Sequence, residues 1–377
     1  MNAAPDGGLL LNHPLYREDI AQIVETDLPW DALAGRTVLV TGANGFLPAM
    51  MVDALLALAK RRADIGVRVL ALVRSRERAE RRFRGHLHDR ALTIFEGDVA
   101  EPFDPPGAVD VVIHAASQAS PRYYGVDPVG TAAPNVIGAM RLLDLARRKN
   151  ASRFLYFSSS EVYGALAPQE QPAQETVFGG LDPATQRACY AESKRMGETL
   201  CVAHHAQYGA QAVIVRPFHT YGPGMRLDDG RVFADFVRDV VTGRDIVLNS
   251  DGSAERAFCY LADAVRAFFA VLLKGEAGFA YNVGNPEAII SVRALAETLI
   301  GLYPQRGVRL RSSVPPLGYI PSQIPRSAPD TTRLEALGWR PSVGIAEGFK
   351  RTIDIYSDIF GAAARDAPPL LSERPFC

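Results

Sequence analysis

Residues 37–47 read TVLVTGANGFL. The apolar and β-branched run Thr37–Thr41 predicts a buried strand, Gly42-Ala43-Asn44-Gly45 a tight turn, and residues 46–63 a helix. A glycine turn between a strand and a helix lets backbone approach a pyrophosphate closely and offers it the free N–H groups of the helix N-terminus. Gly42, Asn44, Gly45, Phe46 and Leu47 are therefore candidate dinucleotide-binding residues. The third small position of such a turn is Pro48 here, which a first helical turn tolerates because the missing N–H has no partner there.

The same rhythm continues outward. Further strands are predicted at 67–73 (VRVLALV), 92–96, 109–114 (VDVVIH), 154–158 (FLYFS) and 212–216 (AVIVR), with helices at 136–148 and 192–208. Continuous apolar strands alternating with helices predict a parallel sheet covered on both faces. The fold class is thus α/β, a Rossmann-type doubly wound parallel sheet with a smaller C-terminal α/β substrate-binding lobe. Expected boundaries are an N-terminal extension at 1–34, a dinucleotide-binding domain at 35–217 plus about 255–275, a second lobe at about 218–254 and 276–356, and a tail at 357–377. The second lobe is read from Gly-, Pro- and charge-rich stretches at 222–231, 249–256 and 304–330. In the extension, Ile20, Ile23, Val24 and Leu28 predict one short amphipathic helix that packs on the main body or on a partner subunit. The Pro-containing stretch 362–377 reads as loosely held.

Composition narrows the function. The 377 residues are 47 % apolar, enough for a large core, and 41 basic residues balance 42 acidic ones for a formal net charge of −1. Nucleic-acid binding and polybasic membrane attachment are disfavoured by that balance. No run of 18 apolar residues reads as a membrane span, and the charged first thirty residues do not read as a secretion signal, so a cytoplasmic protein is expected. Cys189, Cys201, Cys259 and Cys377 form no C-x-x-C pair, and the seven histidines form no ligand cluster, so no metal is expected.

At the end of the second strand an acidic residue would bind the 2′-hydroxyl of NAD. The chain has Arg74-Ser75 there, which leaves NADP open as the cofactor. Asp98 and Val99 after the third strand, and Ala115, Ala116 and Ser117 after the fourth, fall on the same sheet edge. Tyr190 and Lys194 are one helical turn apart on one face, so a charged lysine would favour the phenolate and make Tyr190 a base. Ser158–Gly164 (SSSEVYG) follows the fifth strand at its C-terminal end, where ligands of open α/β sheets bind.

The ordered set of the glycine turn, SSSEVYG, CYAESKRMGETLC (189–201), RPFHTYGPGMRLDDGRV (216–232), SDGSAERAFCYLAD (250–263), YNVGNP (281–286) and RSAPDTTRLEALGWRP (326–341) resembles the extended short-chain dehydrogenase/reductases that act on nucleotide sugars. The resemblance spans about 35–356 and is strongest to the UDP-glucuronate decarboxylases. It implies that bound NAD transiently oxidises C4 of the sugar and that a resulting 4-keto uronic acid loses CO₂. By the same resemblance, Tyr190 takes the C4 hydroxyl proton, Lys194 lowers its pKa and holds the nicotinamide ribose, Ser159 bonds the reacting oxygen, Glu161 sits beside C5 and C6, and Arg256 faces the active site. Pro217 is implied at the cofactor. Ser120, Pro121, His219, Arg231 and Arg326 are implied at the substrate, His219 standing where relatives have an asparagine. A homodimer built from helices near 136–148 and 190–208 is likewise implied. Epimerisation and 4,6-dehydration share the first oxidation and remain alternatives, with a non-catalytic dinucleotide-binding regulator as a remote one. A dehydratase would need an acid at Ser160, and a serine is a poor proton donor at neutral pH.

Overall fold

The computed structural model describes residues 5–313 and 324–365. Strands β1 (Thr37–Thr41), β2 (Arg68–Val73), β3 (Leu92–Glu96), β4 (Val111–His114), β5 (Arg153–Phe157) and β6 (Ala212–Pro217) are followed by β7 (His219–Tyr221), β8 (Ile246–Leu248), β9 (Glu255–Tyr260), β10 (Ala280–Val283), β11 (Ile289–Ser291), β12 (Leu310–Ser312) and β13 (Arg326–Ser327). The helices are α1 (Gly7–Asn12), α2 (Pro14–Glu25), α3 (Phe46–Arg61), α4 (Arg76–Arg82), α5 (Pro128–Ala133), α6 (Ala139–Arg148), α7 (Ala188–Tyr208), α8 (Val232–Thr242), α9 (Leu261–Lys274), α10 (Val292–Leu302), α11 (Thr332–Glu335) and α12 (Ile345–Arg365).

The main sheet has the order β10-β6-β5-β4-β1-β2-β3 and is parallel throughout. The chain leaves β1 in one direction and re-enters beside it at β4, which opens a crevice at the carboxyl ends of these strands. One face is buried under α3 and α9, the other under α6 and α7. A smaller sheet joins β7, β9, β11 and β13. Its core is aromatic: Tyr221 stacks on Phe349 at 3.8 Å, and Phe233 and Tyr260 pack around Phe258 and Tyr221.

Three expected boundaries move. Residues 255–260 do not return to the main sheet, because β9 pairs with β7, β11 and β13; only α9 returns. Residues 280–283 fall in the expected second lobe, yet β10 is the seventh strand of the main sheet, paired with β6. Four residues with polar Asn282 in their middle carry no strand signature of their own; the open edge of β6 decides their place. The expected helix 136–148 starts as a wide π-turn, Pro134–Gly138, and becomes regular at Ala139.

The N-terminal extension forms two helices rather than one, and it packs on the main body. Asp6 caps α1 at Gly8 N (2.9 Å), His13 caps α2, and Pro14 occupies the first position of α2. Gly7 lies so close to α4 that a Cβ would fall 1.6 Å from the Arg82 carbonyl oxygen. Tyr16 donates to Asp53 of α3 (2.6 Å), which also pairs with Arg82 (2.6 Å). Asp19 accepts from Tyr260 (2.6 Å) and from Arg351 of α12 (2.7 Å), so the extension is bonded to both lobes. Residues 357–365 fall in the expected tail 357–377, yet they continue α12; residues 366–377, Cys377 among them, and residues 314–323 lie outside the described residues.

Candidate active site

The crevice at the sheet switch point is a cleft of about 280 Å³. Its lining comes from the turns after four strands: Gly42, Asn44 and Gly45; Leu72–Ser75 with Arg78; Gly97–Ala100; and Ala116–Gln118, closed by residues of α5 and its approach. Gly42 has φ +62°, and a Cβ there would stand 2.8 Å from Ala116 Cα. Only glycine lets the first turn and the turn after β4 approach this closely. Ala49 N bonds to Gly45 O as the first helical hydrogen bond of α3, so Pro48 sits where an N–H would have no helical acceptor. The missing N–H of Pro48 therefore costs α3 no helical hydrogen bond.

Of the residues expected at a dinucleotide, Gly42, Asn44, Gly45, Arg74, Asp98, Val99, Ala116 and Ser117 line this cleft. Phe46, Leu47, Ala115 and Pro217 border the same strand ends without lining it. Ser117 Oγ is buried and has no hydrogen-bond partner among the described residues. A backbone cradle that a side chain would fill, together with an unpartnered hydroxyl inside it, fits a dinucleotide. His114 anchors the cradle: its ring bonds Thr41 Oγ1 (2.9 Å) and the Pro134 carbonyl (3.0 Å), and Thr41 Oγ1 accepts from Ala116 N (3.2 Å). Burial, reinforced by Lys194, pushes His114 down to about 3 and keeps it neutral for this task.

Beyond the cleft, α7 carries Tyr190 and Lys194, both buried. Ser159, which caps the 3₁₀ turn Ser160–Tyr163 through Glu161 N (3.2 Å), stands beside Tyr190 and favours its ionised form. Burial, then the Glu161 charge, pushes Tyr190 up to about 12, while Ser159, Arg231 and Arg187 pull the other way. Lys194 Nζ donates to Phe157 O (2.6 Å) and stands 5.8 Å from the Tyr190 ring centre. Burial pushes Lys194 down to about 7 against the pull of Glu198. Burial of the pair thus opposes the phenolate that the helical spacing of Tyr190 and Lys194 favours.

The site contains two residues that the sequence reading missed. Tyr124 stacks on Tyr190 (5.0 Å between ring centres, 15° between planes). Arg187 lies over Tyr124 (4.6 Å) and pairs with Glu161 (2.9 Å). Arg187 is three residues before Tyr190, in the turn that starts α7, and Tyr124 is in the loop after β4; only the tertiary fold brings both to Glu161.

The loop 118–127 is tied across to the second lobe. Ser120 Oγ donates to Asp229 O (2.5 Å), Arg231 to Ala119 O (3.0 Å) and Arg122 to Asp228 O (3.0 Å), while Pro121 opens the short turn between them. His219 packs edge-on against Phe233 and Phe258, and its Nδ1 is buried without a partner among the described residues. Burial, then Arg256 and Arg231, push His219 down to about 3, so a neutral ring faces two guanidinium groups. Arg256 bonds the Glu255 and Ile324 carbonyls, and Arg326 forms a half-exposed ion pair with Glu255 (2.7 Å). Thus Ser159, Glu161, Tyr190 and Lys194 come together, His219, Arg231 and Arg256 form a second group, and Arg326 is bound to the surface of the small sheet. Among the described residues no cluster of three or more His, Cys, Asp or Glu could hold a metal, and no helix is long and apolar enough to cross a membrane.

Residues 38–284 match the family described as the NAD dependent epimerase/dehydratase family. The chain is 35 % identical to UDP-glucuronic acid decarboxylase 6 of Arabidopsis thaliana over 314 residues, which is 82 % of this chain and 86 % of that protein. It is 33 % identical to UDP-glucuronic acid decarboxylase 1 of Danio rerio, covering 85 % and 73 %. Among solved structures, a dTDP-glucose 4,6-dehydratase of Streptomyces venezuelae with NAD bound superposes with a TM-score of 0.71 at 26 % identity, covering 86 % of this chain and 98 % of that one. A UDP-glucuronic acid 4-epimerase of Bacillus cereus shares the fold, with a TM-score of 0.72 at 21 % identity and coverage of 86 % and 99 %.

Proposed function

The chain belongs to the NAD-dependent epimerase/dehydratase family, and on that premise we propose that it decarboxylates UDP-glucuronate to UDP-xylose through transient oxidation at C4 of the sugar. The observation that carries this reading is the Glu161–Arg187 ion pair beside Ser159 and Tyr190. A sugar carboxylate entering beside Glu161 would meet a like charge; Arg187 is the cation that makes an anionic substrate acceptable there.

Bound NAD supplies the hydride acceptor for C4 at the start and the donor at the end. Ser159 and Tyr190 share the C4 oxygen: they take its proton in the oxidation and return it in the reduction. Lys194 holds a proton close to Tyr190 without exposing it to water. When the C5–C6 bond breaks, its electron pair moves toward the C4 oxygen, where the two hydroxyls stabilise it, and CO₂ leaves. A solvent proton, relayed past Glu161, then takes the place of CO₂ at C5. Tyr124 and the loop ties to Arg231 and Asp229 cover the reacting centre. His219, Arg231 and Arg256 offer an uncharged ring between two cations to the nucleotide diphosphate.

Incubation of the purified protein with UDP-glucuronate and no added reductant tests the reading. Loss of CO₂ in the product mass supports it. An unchanged mass with a new NMR spectrum makes the enzyme an epimerase, the second reading, in which Arg187 holds the carboxylate against departure. Loss of water from a neutral sugar nucleotide makes it a dehydratase. Arg187→Met is expected to raise KM for UDP-glucuronate by about tenfold or more while leaving competition by UDP-glucose, whose sugar is uncharged, in place.

We place the working form in the cytoplasm as a homodimer. Cys189, Cys201 and Cys259 are free thiols, as a reducing compartment keeps them. Ile137, Met140, Met196 and Val202 are exposed on the π-turn, α6 and α7, an apolar face that a second copy would cover. Sedimentation at the 40.9 kDa of one chain would refute the dimer.

A further inference from the structure

Six arginines occur between residues 74 and 84. Four of them have acidic partners: Arg76 with Glu80, Arg81 with Glu77, Arg82 with Asp53 and Arg84 with Asp6. The remaining two, Arg74 and Arg78, are those that line the dinucleotide cleft, and neither guanidinium makes an ion pair or a hydrogen bond among the described residues. Ser75 lies between them on the cleft wall, its Oγ accepting from Arg78 N (3.3 Å).

The end of β2 is where the adenosine ribose meets the protein in this topology, and an acidic residue there selects a free 2′-hydroxyl. The chain has no acid at that point. Two carboxylates do line the cleft, and both are engaged. Asp98 Oδ1 accepts from Ala100 N (2.9 Å), and Asp127 accepts from Gln118 (2.9 Å) and Gly130 N (3.0 Å). Arg74 is near enough to Asp127 for its charge to favour that carboxylate without pairing with it. Two unpaired cations and a hydroxyl at the ribose end make a site for a dianion.

Resting on the dinucleotide reading of this cleft, we propose that its adenosine end binds a 2′-phosphate through Arg74, Ser75 and Arg78, so that the chain takes NADP as well as NAD. The two arginines are exposed at the rim, so their bonds to a phosphate form without first breaking others. The reaction class fits either dinucleotide, because the cofactor is reduced and reoxidised within one turnover and draws nothing from a cellular pool.

The full chain, freed of copurified nucleotide, is titrated calorimetrically with 5′-AMP, 2′,5′-ADP and 3′,5′-ADP. The expected result is that 2′,5′-ADP binds about 10- to 100-fold tighter than 5′-AMP, from two charge-assisted contacts, while 3′,5′-ADP gains only a few-fold. Arg74→Ala combined with Arg78→Ala is expected to bring 2′,5′-ADP down to the level at which the same variant binds 5′-AMP, with the thermal midpoint measured as the check on folding. Equal affinities for 2′,5′-ADP and 5′-AMP overturn the proposal, as does an equal gain for 3′,5′-ADP, which would reflect charge without a built subsite. A preference that survives the double substitution also overturns it. If NAD binds while the preference is absent, only this proposal falls; if no nucleotide binds, the dinucleotide reading falls with it.

Discussion

Glu198 lies one helical turn beyond Lys194 and is the acceptor of a buried fork. Arg216 Nε reaches Glu198 Oε1 at 2.9 Å and Nη2 reaches Oε2 at 2.7 Å, with the two side chains only 5 % and 13 % exposed. Ser158 also donates to Glu198, and Arg216 continues to the Tyr163 hydroxyl (2.9 Å) and the Glu175 carbonyl (3.0 Å). The fork therefore joins α7, the end of β5 and the end of β6 directly beneath the catalytic side chains. Glu198→Gln keeps the shape and one acceptor oxygen but leaves a buried guanidinium without its counter-charge. Breaking such a pair costs about 3–5 kcal/mol, and the retained acceptor places this case near the lower end. That corresponds to a fall in thermal midpoint of about 4 °C for a chain of this size. Arg216→Met alone strands the carboxylate instead, and the double variant, which removes both charges, is expected to be more stable than the sum of the two losses predicts. Urea unfolding of the four proteins measures the cycle. A single-variant loss below about 1 kcal/mol, the range of exposed pairs, would refute the reasoning, as would strict additivity. Glu198 is also the group that opposes burial in setting the Lys194 proton affinity. In Glu198→Gln the basic limb of the kcat profile that reports Lys194 should move to lower pH from its position near 7; an unmoved limb would separate Glu198 from the chemistry.

Tyr190→Phe is expected to lower turnover by about 10²- to 10⁴-fold while UDP-glucuronate still binds within a few-fold, measured by steady-state kinetics and calorimetry. Turnover that survives would remove the assigned base and, with nucleotide still bound, would favour a regulatory protein. On the acid side, burial pushes Asp53 up, but Arg82 and His86 overcome it and hold the carboxyl at about 2. Because this folded-state value is below the unfolded one of 3.8, its stabilisation is complete above pH 4 and is lost as pH falls toward 2; the loss is about 2 kcal/mol. Asp19 has the opposite sign: burial raises it to about 6, so its contribution favours the fold below pH 4 and fades as pH rises through 6. Urea midpoints between pH 2 and 6 should fall at the acid end for the native chain. Asp53→Asn should be less stable overall and lack that acid limb; a limb of unchanged slope would contradict the assignment.

The strand–turn–helix start of the main sheet was legible in the residues alone, because apolar runs, a glycine turn and helical spacing are local signals that burial on both faces reinforces. Thr37–Thr41 and Leu92–Glu96 occur at the predicted residues, and α3 begins at the predicted Phe46. The pairing of Tyr190 with Lys194 was equally legible, since helix geometry alone places them on one face. Tertiary structure decided the rest. Ala280–Val283 is a main-sheet strand only because β6 offers it a parallel edge, and Glu255–Tyr260 goes to the small sheet because β7 pairs with it there. The N-terminal helices acquire their place from buried Asp53, 37 positions from its partner Tyr16, and from buried Asp19, whose partners lie 241 and 332 positions away. Arg187 and Tyr124 join the site through a stacked ring and an ion pair with no sequence pattern of their own. The electrostatic state of the site was also invisible in one dimension. Spacing places Lys194 beside Tyr190, but only burial in the folded chain sets whether that lysine carries a charge, because the cost of keeping an ion out of water depends on everything packed around it.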